Sequence, residues 1–322
     1  MFCGVEFQYD PTNTWGRSTF LSVDQESLSA LNPPMLMHLQ NTELVHFLQA
    51  GILKRAFGLF VDRTRAFVGT ELGLIHTIDL ASQKVTRSYR LPDGVKCLIG
   101  DGDWRYAGCD DGRVYDISGS APRVAYEIAD DLDIYWLDIR DGVLAISDAG
   151  GGLTVVNHED ESLWRKDSPG ARGWMVRCDE IGVYHGHSRG VTMYDWESGA
   201  RLWDQSTDGM VFFGWQEEAT LFVATTSHKV QTFSKRGEPG PEARCDHVVY
   251  SCAAAEDGER LYAADLQGHL YGFVREGGGY RRQWKIQSGC GAALSMQARG
   301  ETLYIVTNTG ALAAVDLTDA AM

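Results

Sequence analysis

Apolar and polar positions alternate along most of this chain in short runs, each closed by a turn rich in Gly, Asp or Ser. A period of two places successive side chains on opposite faces of a strand, and the runs are too short for amphipathic helices. The runs "WMVRCD", "GVYHG", "GVTMYDW" and "ARLWDQ" follow one another between Trp174 and Gln205 and predict a four-stranded antiparallel meander. Its central hairpin, "VYHGHSRGVTMYD", has six counterparts: "AFVGTELGLIHTID", "RYAGCDDGRVYD", "AISDAGGGLTVVN", "LFVATTSHKVQTF", "LYAADLQGHLYGF" and "LYIVTNTGALAAVD". With the hairpins superposed, the turns close at Gly73, Gly112, Gly152, Gly190, Lys229, Gly268 and Gly310, a period of about 40 residues.

A closing Gly suits a tight hairpin that needs φ > 0. A second turn precedes each hairpin, as "DRTR", "DGDW", "RDGV", "DEIG", "QEEA", "EDGER" and "ARGE". One meander cannot bury both its faces, so seven in succession predict an all-β ring, a seven-bladed β-propeller of four-stranded antiparallel blades. Residues 54–322 carry the repeats. The seventh unit stops after its third strand, in "ALAAVDLTDAAM", which would leave an unpaired edge. Residues 1–53 are therefore expected to supply the closing strand, from "GVEFQYD" (Gly4–Asp10) or "STFLSVD" (Ser18–Asp24), and a short helix over Thr42–Ala50. The Trp-Gly-Arg string in "TWGRSTF" reads as a turn beside a strand.

Within the repeat, a small residue or Gly, a turn, Gly, an alternating strand, Asp and then "SG…W" resembles the PQQ-like and WD-type propeller repeats. The fullest match runs from Gly186 through Asp195, Ser198 and Gly199 to Trp203. Fourth-strand aromatics at Tyr89, Tyr126, Trp164, Trp203 and Trp284 resemble the tryptophans by which such blades dock on their neighbours. The resemblance covers roughly residues 54–322, with the fifth and seventh units degenerate. Quinoprotein dehydrogenases of this shape carry adjacent cysteines beside their cofactor. This chain has no Cys-Cys pair, so no quinone cofactor, and no cofactor of any other kind, is expected.

The formal net charge of −15 disfavours nucleic acid and anionic membranes as general partners. The seven cysteines are widely spaced, without a Cys-x-x-Cys pair, and read as reduced thiols of a cytoplasmic protein. No signal peptide and no apolar run long enough to span a membrane is visible.

Two histidines, His185 and His187, fall on one face of a predicted strand. In the alignment the His185 column otherwise holds Val68, Ala107, Ser147, Ala224, Ala263 and Ile305, so a histidine there is anomalous. The expected reading is a hydrogen-bonded structural His185 with an exposed His187. A metal would need a third protein ligand, and none is expected. His185, His187, His228, His247 and Asp131 are the candidate catalytic residues, with Asp110 as a further acid. Asp110, Asp111, Asp130, Asp131, Asp133, Arg189 and Lys229 should open on one face of the ring, forming a polar docking surface with an acidic and a more basic sector. Solvated loops are the alternative for that acidic group.

The expected function is a non-catalytic cytoplasmic scaffold that presents a face or rim to a protein partner. The alternatives are a hydrolase or lyase, or a small-molecule binder, with its site at the mouth of the central channel.

Overall fold

A computed structural model describes residues 55–157 and 162–317. The predicted N-terminal strands, the helix over Thr42–Ala50 and the closure of the ring by residues 1–53 lie outside the described residues. Every regular element described is a strand.

Six sheets are four-stranded meanders. They are β1–β4 (Ala56–Val61, Arg65–Thr70, Leu74–Asp79, Lys84–Arg90), β5–β8 (Val95–Asp101, Trp104–Cys109, Arg113–Asp116, Arg123–Glu127) and β9–β12 (Ile134–Arg140, Val143–Asp148, Gly152–Val156, Ser162–Asp167). Then come β13–β16 (Gly173–Cys178, Val183–His187, Gly190–Tyr194, Arg201–Ser206), β17–β20 (Val211–Gln216, Thr220–Thr225, Lys229–Ser234, Ala243–Arg244) and β21–β24 (Val249–Ala254, Arg260–Asp265, His269–Glu276, Gly279–Gln287). The seventh sheet has three strands among the described residues, β25–β27 (Ala293–Arg299, Thr302–Thr307, Leu312–Asp316). The first strands of successive sheets pack on one another, and β25 packs back on β1. The chain is a seven-bladed β-propeller.

The seam between the last and first blades is bonded directly. Gln297 Oε1 accepts the Val61 N–H at 2.8 Å, and Arg299 Nη2 donates to the Val61 carbonyl at 2.9 Å. Between the third and fourth blades Asp138 fills the position of Gln297, its Oδ2 accepting the Cys178 N–H at 2.8 Å. Around the rim, outer-strand aromatics grip the next blade. Tyr89 and Tyr126 hydroxyls donate to the Gly119 and Asn157 carbonyls, and Trp164 and Trp203 Nε1–H groups donate to the Trp196 and Lys235 carbonyls. Trp284 stacks on Tyr262. The degenerate fifth unit shows as a two-residue outer strand, β20.

Hairpin register corrects the alignment in two units. The positive-φ residues are Gly151 and His228, with Gly152 and Lys229 already in the following strands. Pairing of second with first strands places Val68, Ala107, Ile146, Val223, Ala263 and Ile305 opposite the same positions as His185. Ser147 instead shares a column with Gly69, Gly108, Gly186, Ala224, Ala264 and Val306.

Candidate functional face at the channel mouth

A four-stranded meander whose first strand lines the axis has an inescapable consequence. The connections between blades and the turns between second and third strands open on one face, and the other hairpins open on the opposite face. Just inside the first face, each innermost strand carries a β-bulge. The extra residue is in turn Phe57, Lys96, Tyr135, Trp174, Phe212, Tyr250 and Leu294. A bulge re-aims the side chain it inserts, and here six apolar or aromatic groups and one lysine gather at the channel mouth.

Four of them form a continuous wall across four blades. Tyr135 stacks on Trp174 with ring centres 6.2 Å apart, Trp174 meets Phe212 edge-on at 5.1 Å, and Phe212 meets Tyr250 at 5.2 Å. Arg172 lies over Trp174, and Lys96 Nζ lies 5.2 Å from the centre of Tyr135. Burial pushes the Tyr250 phenol up to about 12, and Lys96, Tyr135 and Arg55 are close enough to act on it electrostatically. Tyr250 is on the sixth blade and these groups are on the second, third and first, so its hydroxyl reaches toward the axis.

Beside the wall, Lys96 bridges two carboxylates. Its Nζ lies 2.8 Å from Asp110 Oδ2 and also contacts Asp133. Burial works against the ammonium, but Asp110 and Asp133 raise its pKa above the ordinary value. Burial lifts the Asp110 carboxyl to about 7 despite Lys96, with Asp133 and Asp93 adding to the rise. Asp110 Oδ1 is buried without a hydrogen-bond partner. Gly94 is needed here, since a Cβ there would lie 2.5 Å from Asp110 Oδ2.

The other predicted residues scatter over this face. Asp130 and Asp131 are exposed in the loop entering the third blade. Asp111 accepts the Tyr115 hydroxyl at 2.7 Å and pairs with Arg113. Arg189 is exposed and donates to the Pro169 carbonyl. Lys229 is held by Asp208 and Glu242, so its charge is locally neutralised. His228 is exposed.

His185 lies inside the blade stack, fully buried. Its Nε2 is 2.9 Å from Ser147 Oγ, and that hydroxyl donates to the Gly173 carbonyl at 2.7 Å. With the Ser147 proton committed, His185 must donate from Nε2, leaving Nδ1 bare, and Nδ1 has no partner. Burial drives its pKa down to about 3, with His187 adding to the fall. The expected exposure of His187 is corrected: it is 1% exposed. Its Nδ1 accepts the Arg189 N–H at 3.2 Å and its Nε2 lies 2.9 Å from Thr192 Oγ1, which donates to Asp204. The tight hairpin folds Thr192 back over the ring, and burial lowers its pKa to about 4. The two histidines are neutral packing groups, 6.1 Å apart between ring centres.

The bulge residues are what the sequence reading missed. Their signal was a large residue at the second position of every first strand, visible only once the units are aligned on that strand. His247 belongs to the one group among the described residues in which three ligand atoms approach within 4.8 Å, with Asp265 and His269.

No protein-family model matches the chain, and no curated protein sequence matches it. Solved structures do. The chain is similar to the WD40 β-propeller domain of Doa1, with a TM-score of 0.70 and 10% identity over 82% of this chain and 93% of that one. It is also similar to the computationally designed Ika8 protein, with a TM-score of 0.64 and 11% identity over 83% of this chain and 98% of that one. At such identities the likeness is one of backbone architecture: the chain is a β-propeller that resembles a WD40 domain in fold.

Proposed function

We propose that this propeller is a non-catalytic interaction module that binds a partner protein across the face with the aromatic channel mouth. The carrying observation is the wall of Tyr135, Trp174, Phe212 and Tyr250, half-buried and bordered by the ion-paired Lys96, Asp110 and Asp133. An apolar, aromatic centre with a polar rim is the anatomy of protein interfaces, and Tyr and Trp dominate their binding energy. The similarity to a WD40 domain supports the same reading at the level of architecture. A cytoplasmic location belongs to the proposal, since all six described cysteines are free thiols. The net charge of −15 argues against nucleic acid as the partner.

The test is affinity capture from the native host by wild type, Trp174→Ala and Ile181→Ser, followed by affinity measurement on the purified partner. Ile181 is exposed on a hairpin of the opposite face. A partner held by wild type and Ile181→Ser but weakened at least about tenfold by Trp174→Ala supports the proposal. A partner indifferent to Trp174→Ala, with all three proteins equally folded, overturns it.

One observation favours a second reading. A carboxyl poised near 7 beside a lysine, Asp110 with Lys96, suits general acid–base chemistry in a hydrolase or lyase, or recognition of a small molecule. That reading requires ligand-dependent thermal stabilisation that Asp110→Ala abolishes.

A further inference from the structure

We propose that His247, Asp265 and His269 form a zinc(II) site on the loop face of the sixth blade. One ligand atom from each lies within 4.8 Å of the others. The imidazoles of His247 and His269 are nearly parallel, with ring centres 5.7 Å apart. His269 Nδ1 is 2.9 Å from Asp265 Oδ2. Tetrahedral zinc, with bonds of about 2.0–2.1 Å, separates adjacent ligand atoms by roughly 3.3 Å. The Asp–His pair therefore needs to open by only a few tenths of an ångström. His247 is exposed on the loop between β20 and β21, where its ring has room to swing in.

The buried carboxylate supplies the driving force. Asp265 is 0% exposed, and its ion-pair partner among the described residues is His269, charged only when protonated. In the third blade Asp148 occupies the same column, equally buried, and is neutralised by Arg165 at 2.7 Å. The sixth blade offers no guanidinium to Asp265. The cations nearby, Arg282 and Lys285, are held by Asp246. Zinc would take the place of the Nδ1 proton, which the imidazole regains at Nε2 by exchange with solvent so that the ring stays neutral, and would give the carboxylate a permanent countercharge.

The carboxylate is also oriented as a ligand should be. Its Oδ1 accepts the Gln267 and His269 N–H groups at 2.9 and 3.0 Å, and its Oδ2 accepts the Tyr271 hydroxyl at 2.6 Å. Two neutral imidazoles and one carboxylate bring three ligands to a site with a net charge of +1. The fourth position faces solvent and falls to water.

Zinc chloride titrated calorimetrically into chelator-treated full-length protein tests this, with cobalt(II) visible absorption reporting coordination geometry. One saturable equivalent is expected in wild type. His247→Ala and His269→Ala should weaken it by at least about tenfold, and His228→Ala on the same face should not change it. His247→Ala decides the matter if Asp265→Asn fails to fold, because the His247 side chain is exposed. Absence of saturable binding overturns the proposal, as does wild-type affinity in His247→Ala. Neither result bears on partner capture through Trp174, so this site and the proposed interface stand or fall separately.

Discussion

Gly173→Ala is the most exacting test of how the third and fourth blades fit together. Position 173 is Gly where the other first strands have Ala56, Val95, Ile134, Val211, Val249 and Ala293. A Cβ there would lie 2.1 Å from His185 Nε2 and 2.6 Å from Ser147 Oγ. The missing side chain is thus the space that His185 and Ser147 fill. Added volume in a packed core costs about 1–3 kcal/mol. Pushing the imidazole off Ser147 leaves a buried donor unmet, for about 1–3 kcal/mol more. Gly173→Ala should therefore destabilise by about 2–6 kcal/mol, read as a shift in urea midpoint at pH 7.

The double replacement Ser147→Gly with His185→Val rebuilds the arrangement between the fourth and fifth blades, where Gly186, Val211 and Val223 stand in these columns. In that background Gly173→Val should stabilise, because it fills the space the imidazole left, by about 1–3 kcal/mol. Opposite signs in the two backgrounds amount to a coupling of several kcal/mol, expected of side chains in direct contact. The reasoning is refuted if Gly173→Ala costs under about 0.5 kcal/mol. It also fails if Gly173→Val has the same effect in both backgrounds.

Three further outcomes are expected. His185, with a folded pKa near 3 against 6.5 unfolded, leaves stability intact above about pH 6.5 and erodes it as pH falls toward 3. At pH 4.5 the loss from this residue is about 2–3 kcal/mol, and His185→Val should flatten the pH dependence of the urea midpoint by that amount. Asp110 runs the other way: its pKa is raised, so the stability it leaves below about pH 4 is lost as pH climbs through 7. Asp110→Asn should accordingly raise the melting temperature at pH 8 more than at pH 5, with Asp133 still holding Lys96. Trp203→Ala should cost about 3–5 kcal/mol in chemical denaturation, whereas Trp203→His or Phe keeps part of the packing. In Trp203→Phe the lost hydrogen bond to Lys235 accounts for only about 1 kcal/mol.

Period-two alternation and the recurring turns determined the fold from sequence alone. Strand polarity and φ > 0 at Gly73, Gly112, Gly268 and Gly310 are local properties, written residue by residue and repeated until the period was plain. The docking role of Trp164 and Trp203 was legible for the same reason, since the repeat shows an aromatic at one place in five of the seven units. Tertiary structure decided what lies between units. The exclusion of His185 from any open site depends on Gly173 and Ser147, which belong to a neighbouring strand and a neighbouring blade. The burial of His187 depends on a hairpin folding Thr192 over its ring. The aromatic wall arises because bulges aim Tyr135, Trp174, Phe212 and Tyr250 at a common axis, and no local periodicity records where that axis runs. The meeting of His247 with Asp265 and His269 is decided within the sixth blade, where the loop entering it brings His247 to the hairpin that carries the other two. The wall positions lie on four different blades and converge only when the ring closes, because contact depends on distance in space and alternation records only the direction of each side chain.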